Sequence, residues 1–171
     1  MNNLRYLKLI LAFLIIPLLS YSQNIDFSTI LKGVTDPASG MLQEELKKGK
    51  FTQVSPYQSR FKPETWAYAY NPANGAAGAW VNNYFNPKVL EKKNRRTAIV
   101  EITVRTFGPE NQFHTKLKNN IKEICKYSGT FTSETEGYIY KEYAHESGAL
   151  IQIYSMNEEN YIKVRHTALI K

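Results

Sequence analysis

Aromatic side chains are concentrated in one short stretch of this chain. Trp66, Tyr68 and Tyr70 alternate along a predicted strand, and Trp80 and Tyr84 follow a turn rich in Asn, Pro and Gly. Tryptophan and tyrosine combine a flat apolar ring with a polar atom, so an exposed row of them can stack on sugars or hold a peptide. We therefore identify these five aromatic residues as a candidate binding surface. The alternative is that the same rings fill one face of a sheet.

A second group of tyrosines lies nearer the C-terminus. Tyr138 and Tyr140 occupy one face of a predicted strand. Cross-strand aromatic pairs commonly stabilise antiparallel sheets. We therefore interpret this group as structural, and it comprises Tyr138, Tyr140, Tyr143, Tyr154 and Tyr161.

Residues that could support catalysis are few. The chain has three histidines and lacks an HExxH pattern, a pair of cysteines, a phosphate-binding loop and a serine-nucleophile motif. We expect His114 on a solvated helix face, His145 in a turn and His166 facing a core. The sequence thus predicts no catalytic residue, no metal site and no cofactor. The enzymatic alternative is a hydrolase of envelope polymers in which His145, His166 and Glu142 converge from separate strand ends.

Cys125 is the single cysteine of the chain. One cysteine excludes an internal disulfide framework, so stability must come from the hydrophobic core. Cys125 falls on the apolar stripe of a predicted helix. We therefore predict that its thiol is buried.

Residues 1–22 have the pattern of an export signal. A short basic region precedes an apolar run at 9–19, and Ser20 and Ser22 place small residues where a signal peptidase would cleave. A membrane-spanning helix needs about 20 predominantly apolar residues, and this run is roughly half as long. We therefore expect a cleaved signal peptide, no transmembrane segment in the mature chain, and a periplasmic or secreted location. An uncleaved anchor is the alternative.

The charge balance favours anionic partners. The chain has 22 Lys and Arg residues against 15 Asp and Glu residues. Such an excess suits an acidic envelope protein, an acidic glycan or an anionic lipid surface, although a basic surface can also be simply solvated. We expect no nucleic-acid partner, because an exported chain without a helix-turn-helix, zinc-finger or RNA-binding pattern gives no basis for one.

Hydrophobic periodicity predicts the order of the secondary-structure elements. Asp36 is suited to cap a helix that ends near Gly49, and alternation along 98–105 predicts a strand with Val100, Ile102 and Val104 facing inward. The elements expected after that strand are a helix at 110–127 and strands near 137–144, 149–155 and 160–169.

This order predicts an α+β fold in two layers. We expect an antiparallel sheet of about four strands, in strand-helix-meander order, packed on one main helix. Residues 23–171 would form a single domain, with a less regular N-terminal part at 23–94 and a periodic core at 95–171. The N-terminal part would contribute a helical or irregular segment.

Taken together, the sequence favours an exported, non-catalytic binding or interaction domain of the bacterial cell envelope. The alternatives are the envelope hydrolase described above and an inhibitor or immunity-type protein that blocks a partner enzyme. The aromatic residues at 66–84 are the candidate contact surface in the favoured hypothesis.

Overall fold

A computed structural model describes residues 25–59, 61–85, 97–108 and 111–169. The predicted export signal at 1–22 lies outside the described residues, so its assignment stays a prediction. None of the helices in the described part of the chain has the length and apolar character needed to cross a membrane.

Three short helices form among the described residues. They are α1 (Phe27–Thr35), α2 (Met41–Lys48) and α3 (Gln112–Ile124). Asp26 caps α1 by accepting the backbone N–H of Thr29, and Asn111 caps α3 by accepting that of His114. A side-chain acceptor at this position satisfies an N–H that the helix itself leaves unpaired. Each helix therefore begins where its sequence supplies a capping oxygen or, in α2, the left-handed Gly40.

The expected capping role of Asp36 is wrong. Asp36 ends α1, where its backbone N–H donates to the carbonyl oxygen of Lys32, and α2 begins five residues later at Met41. The two helices are consequently joined by a short turn, which lets them pack side by side.

The strands form one antiparallel sheet, which has eight strands within the described ranges. Their spatial order is β1-β2-β3-β4-β8-β7-β6-β5, so two four-stranded meanders meet where β4 pairs with β8. The strands are β1 (Phe51–Ser55), β2 (Glu64–Tyr68), β3 (Ala79–Asn83), β4 (Thr97–Phe107), β5 (Lys126–Thr132), β6 (Ile139–Ala144), β7 (Leu150–Met156) and β8 (Glu159–Leu169).

All three helices pack against the same face of this sheet, which we call the helix face. Gly33 in α1 approaches Ile102 of β4, Gln43 in α2 hydrogen-bonds Glu64 of β2, and the ring of Phe113 in α3 lies 6.1 Å from that of Phe51 in β1. Because side chains alternate along a strand, the core residues Val100, Ile102 and Val104 all point to the helix face. The opposite side of the sheet, which we call the outer face, is not covered by any helix or strand of the described residues.

The prediction of a four-stranded sheet on one main helix is wrong. The α+β class and the antiparallel arrangement hold, but the sheet has twice the expected number of strands and carries three helices. β2 corresponds to the strand predicted around Trp66 and Tyr68, but β1 and β3 were not predicted and lie in the part of the chain expected to be less regular. In addition, β5 begins at Lys126, within the helix expected at 110–127. Short strands separated by Pro and Asn residues give weak periodic signals, whereas pairing with a neighbour stabilises them in the sheet.

Candidate functional site

The five aromatic residues singled out from the sequence lie on both faces of the sheet. Trp66 is only 2% exposed and belongs to the core, and Tyr68 is half-buried against Phe51 on the same helix face. Tyr70 and Trp80 lie together on the outer face, with ring centroids 5.8 Å apart. Tyr84 follows Trp80 in the outward-pointing alternation of β3 and is half-buried.

Ala69 explains why the alternation at 66–70 does not keep its rings on one face. Its φ of 51° lies in the left-handed region, which a residue with a side chain seldom adopts inside a strand. The strand β2 ends at Tyr68, and the chain turns so that Tyr70 reaches Trp80 instead of continuing the row of Trp66 and Tyr68.

Three tyrosines stack across the outer face. The ring of Tyr154 in β7 is parallel to that of Tyr161 in β8 at a centroid distance of 4.9 Å, and to that of Tyr138 at 4.1 Å. Tyr154 is therefore only 8% exposed, although it lies on the face without helices. Stacking of this kind stabilises the sheet and also holds each ring in a fixed position.

The stack continues toward β3 through a cation. The guanidinium of Arg105 lies 5.3 Å from the ring centre of Trp80 and 5.4 Å from that of Phe107. One of its terminal nitrogens is 3.6 Å from Oε1 of Glu159, and Oε2 of the same carboxylate accepts a hydrogen bond from the hydroxyl of Tyr161. We call the connected residues the aromatic ladder, which consists of Tyr138, Tyr154, Tyr161, Arg105, Trp80 and Tyr70.

The hydroxyl groups of Tyr154 and Tyr161 remain protonated at neutral pH. Burial, followed by the hydrogen bond to Glu159, raises the pKa of Tyr161 to about 12. Burial also raises the pKa of Tyr154, with further increases from the neighbouring Tyr138 and Tyr161. These phenols therefore act as neutral hydrogen-bonding groups, and not as phenolate bases.

A groove of about 470 Å³ lies at the Tyr138 end of the ladder. It forms between the outer face of the sheet and the loop 133–137, which joins β5 to β6. The loop is closed by hydrogen bonds from the Ser133 N–H to the Tyr138 carbonyl and from the Gly137 N–H to the Ser133 carbonyl. Aromatic groove-lining residues are Phe131, Tyr138 and Tyr140, with Phe131 and Tyr140 in ring contact at 5.7 Å.

Two cations from β8 line this groove. Lys163 and Arg165 are two residues apart, so both point to the outer face. The ammonium of Lys163 lies 5.8 Å from the ring centre of Tyr154, and no carboxylate of the described residues lies within 4.0 Å of it. Arg165 pairs with Glu101 through its Nε, at 2.5 Å, while its side chain remains 48% exposed. The groove therefore has one cation without a described counter-ion and one that is only partly engaged.

Carboxylate and amide groups complete the lining. Glu134 and Glu136 project from the loop, and Gln152 of β7 donates to Glu142 across the β6–β7 pair. Glu134 and Glu136 are exposed, so they retain their hydration and their capacity to accept hydrogen bonds. The groove thus presents an aromatic end, a basic strand and an acidic loop to a single ligand.

The hydrolase candidates do not form one group. Nδ1 of His145 accepts the backbone N–H of Ser147 at 3.1 Å and lies 2.9 Å from the hydroxyl of the same residue, as expected for the turn in which we placed it. His166 lies on the helix face, with Nε2 3.0 Å from the carbonyl oxygen of Ser147. Glu142 points to the outer face. The two imidazoles therefore hold the turn between β6 and β7, and Glu142 lies on the other side of the sheet.

His114 and Cys125 are both buried beside α3. The prediction of a solvated His114 is wrong, since the residue is only 7% exposed; burial, assisted by Lys118, lowers its pKa to about 4. The predicted burial of Cys125 is confirmed, and burial raises the pKa of its thiol to about 11. A thiol with this pKa stays protonated and is a weak nucleophile.

A buried carboxylate lies under the helices, away from the groove. Glu64 accepts hydrogen bonds from the side-chain amides of Gln43, Gln53 and Asn83, at 3.0, 3.0 and 3.2 Å. These donors come from α2, β1 and β3, so the cluster joins three elements around β2. Within the described ranges, no group of three or more His, Cys, Asp or Glu side chains is arranged to hold a metal ion.

Lys163, Arg165 and the loop carboxylates were not identified from the sequence. The alternation of β8 places Ile162 and Val164 inward and therefore predicts Lys163 and Arg165 on the opposite face. No local pattern indicates that the loop 133–137, remote in sequence from β8, would lie beside them. Comparisons of the chain with protein-family models, with characterised proteins and with solved structures found no match.

Proposed function

We propose that this protein is an exported, non-catalytic binding domain of the bacterial cell envelope, and that the outer face of its sheet is the binding surface. The observation that carries the proposal is the asymmetry of the sheet. All three described helices cover one face, and the other carries the aromatic ladder and the groove. The export pattern at 1–22 supports the location.

The groove has the composition expected of a binding site. Ligand sites are concave and combine aromatic walls with a few placed polar groups. Here Tyr138 is held by stacking on Tyr154, and Phe131 and Tyr140 are held by their ring contact, so these rings lose little conformational entropy when a ligand binds. The two imidazoles proposed for a hydrolase bind a turn, and this favours a binding role over a catalytic one.

The contributions of Tyr70 and Trp80 to binding remain part of the proposal, because both lie on the outer face. Tyr84 extends the same face toward Glu101. Trp66 and Tyr68 are assigned to the core, where they support the strands that carry the outer residues.

Cosedimentation with isolated bacterial envelopes tests the proposal through two matched variants. Lys163→Glu reverses a charge on the outer face, and Lys141→Glu makes the same change on an exposed position of the helix face. We expect Lys163→Glu to weaken binding by roughly tenfold, because repulsion replaces attraction at the groove, whereas Lys141→Glu should bind like the unchanged protein. Equal binding by both variants and the unchanged protein, or a loss in Lys141→Glu alone, would overturn the proposal.

A further inference from the structure

We infer that the groove beside the loop 133–137 binds an acidic glycan of low charge density, in which a carboxylated sugar alternates with uncharged sugars. The inference rests on the proposed function and specifies the ligand class of the same surface. It follows from the identity, position and pairing of the groove's charged and aromatic side chains.

The basic side of the groove is suited to a carboxylate. Lys163 has no carboxylate of the described residues within 4.0 Å, and Arg165 uses only its Nε in the contact with Glu101. Lysine provides a compact point charge, while the planar guanidinium offers further N–H groups to an anion. Because the two side chains leave the same strand two residues apart, one carboxylate can contact both.

The aromatic end is suited to a sugar ring. Tyr154 is covered by a ring on each side, so its ring faces are occupied by stacking. Tyr138 ends that stack and lines the groove together with Tyr140 and Phe131. A sugar has an apolar C–H face and a polar edge, which match a tyrosine ring and its hydroxyl. The ligand would therefore pack against these terminal rings.

The acidic loop limits the charge of the ligand. Glu134 and Glu136 line the same groove as the two cations, where they can accept hydrogen bonds from sugar hydroxyls. The same carboxylates would repel a densely sulfated or phosphorylated polymer, because like charges brought together oppose binding. They would also oppose the close approach of a flat anionic membrane to Lys163. The lining thus favours a sparsely charged glycan over a lipid surface.

Calorimetric titration of the purified protein with defined probes tests the inference. The probes are a hyaluronan hexasaccharide, which alternates a carboxylated and an N-acetylated sugar, the neutral chitin hexasaccharide, heparin, and vesicles of phosphatidylglycerol. We expect hyaluronan to bind about tenfold more tightly than the chitin oligomer, since only hyaluronan offers carboxylates for charge-assisted hydrogen bonds with Lys163 and Arg165. Heparin and the vesicles should bind more weakly than hyaluronan.

Variants with different expected effects distinguish binding in the groove from nonspecific electrostatic attraction to the protein surface. Lys163→Gln should reduce hyaluronan affinity about tenfold, whereas Lys141→Gln, which removes the same charge from the helix face, should leave it unchanged. The double variant Glu134→Gln with Glu136→Gln should gain affinity for heparin. Circular dichroism of each variant verifies that it is folded, and the exposed loop positions provide a test that does not depend on β8.

Several outcomes would overturn the inference. They are equal affinity for hyaluronan and the chitin oligomer, an equal loss in Lys163→Gln and Lys141→Gln, and tighter binding to vesicles or heparin than to hyaluronan. If hyaluronan does not bind but Lys163→Glu still impairs cosedimentation with envelopes, the ligand class is wrong and the proposed function stands. If that cosedimentation is also insensitive to Lys163→Glu, both fail.

Discussion

The two faces of the sheet are built from the same strands but differ in role: the helix face forms the hydrophobic core, and the outer face carries the aromatic ladder and the groove. One row of residues, paired across five strands, faces the helices. The adjacent residue in each of these strands faces outward. The first row is Trp66, Val81, Val104, Ile162 and Ile153, and the second is Ala67, Trp80, Arg105, Tyr161 and Tyr154. Alternation thus places the apolar residues that pack under the helices on one face and the aromatic and basic residues of the ladder on the other. A residue's face, and not its type, therefore decides whether it belongs to the core or to the candidate site.

The two tryptophans offer the largest test of this difference. Trp66→Ala removes a fully packed ring from the helix face and should lower the free energy of unfolding by about 3–5 kcal/mol. Trp80→Ala removes a half-buried ring from the outer face and should cost less, about 1–2 kcal/mol. Urea unfolding of both variants measures the two losses. Equal losses would show that the faces are not packed differently.

Gly33 tests how closely the helices approach the sheet. A Cβ at this position would lie 2.8 Å from Cδ1 of Ile102 and 3.2 Å from Cβ of Leu42. We expect Gly33→Ala to destabilise the protein by about 1–3 kcal/mol, despite the better helix propensity of alanine. Lys32→Ala, on the exposed side of α1, is the control and should be neutral or slightly stabilising. Thermal unfolding of both variants provides the measurement. A higher melting temperature for Gly33→Ala than for the unchanged protein would contradict the close contact between α1 and the sheet.

His114 should make the helix face sensitive to acid. Its pKa is near 6.5 in the unfolded chain but about 4 in the folded protein, so below pH 6.5 the unfolded state binds the proton first. The free energy of unfolding should therefore fall as pH drops from about 7 to 4, with His114 contributing up to roughly 3 kcal/mol of that loss. Urea unfolding at several pH values should show a shallower decline for His114→Leu. Parallel curves for the two proteins would contradict a buried neutral imidazole.

The smallest effects should come from two lysines, one on each face of the sheet. Lys163→Gln and Lys141→Gln should each change the free energy of unfolding by less than about 0.5 kcal/mol, because neither residue forms an ion pair with the described carboxylates. Thermal unfolding at neutral pH provides the measurement. A loss above about 1 kcal/mol in Lys163→Gln would mean that this lysine is structural, and its effect on binding would need a different explanation.

The elements of the strongly periodic part of the chain, residues 95–171, were largely predictable from the sequence. The inward residues of β4, the helix around Leu117 and Ile121, and the strands β6 to β8 were expected from spacing alone and are present. Their apolar residues recur at the period of the element that they form, so local sequence and tertiary packing agree.

The remaining strands and the groove depend on contacts between distant residues. β1 and β3 are short, and pairing with neighbouring strands stabilises them where local propensity does not. The rings at 66–70 were expected on one face, but the left-handed Ala69 redirects Tyr70. The groove is lined by the loop 133–137 and by Lys163 and Arg165 of β8. The residue spacing within either segment does not predict that the two lie side by side.

Radical footprinting in the presence of isolated envelopes tests the central claim most directly. It compares oxidation of Phe131, Tyr138 and Tyr140, which line the groove, with that of Tyr127, which is 51% exposed on the helix face of β5. If the outer face is the binding surface, envelopes should protect the three groove residues and leave Tyr127 unchanged. Protection of Tyr127 with unaltered oxidation of the groove residues would contradict the account.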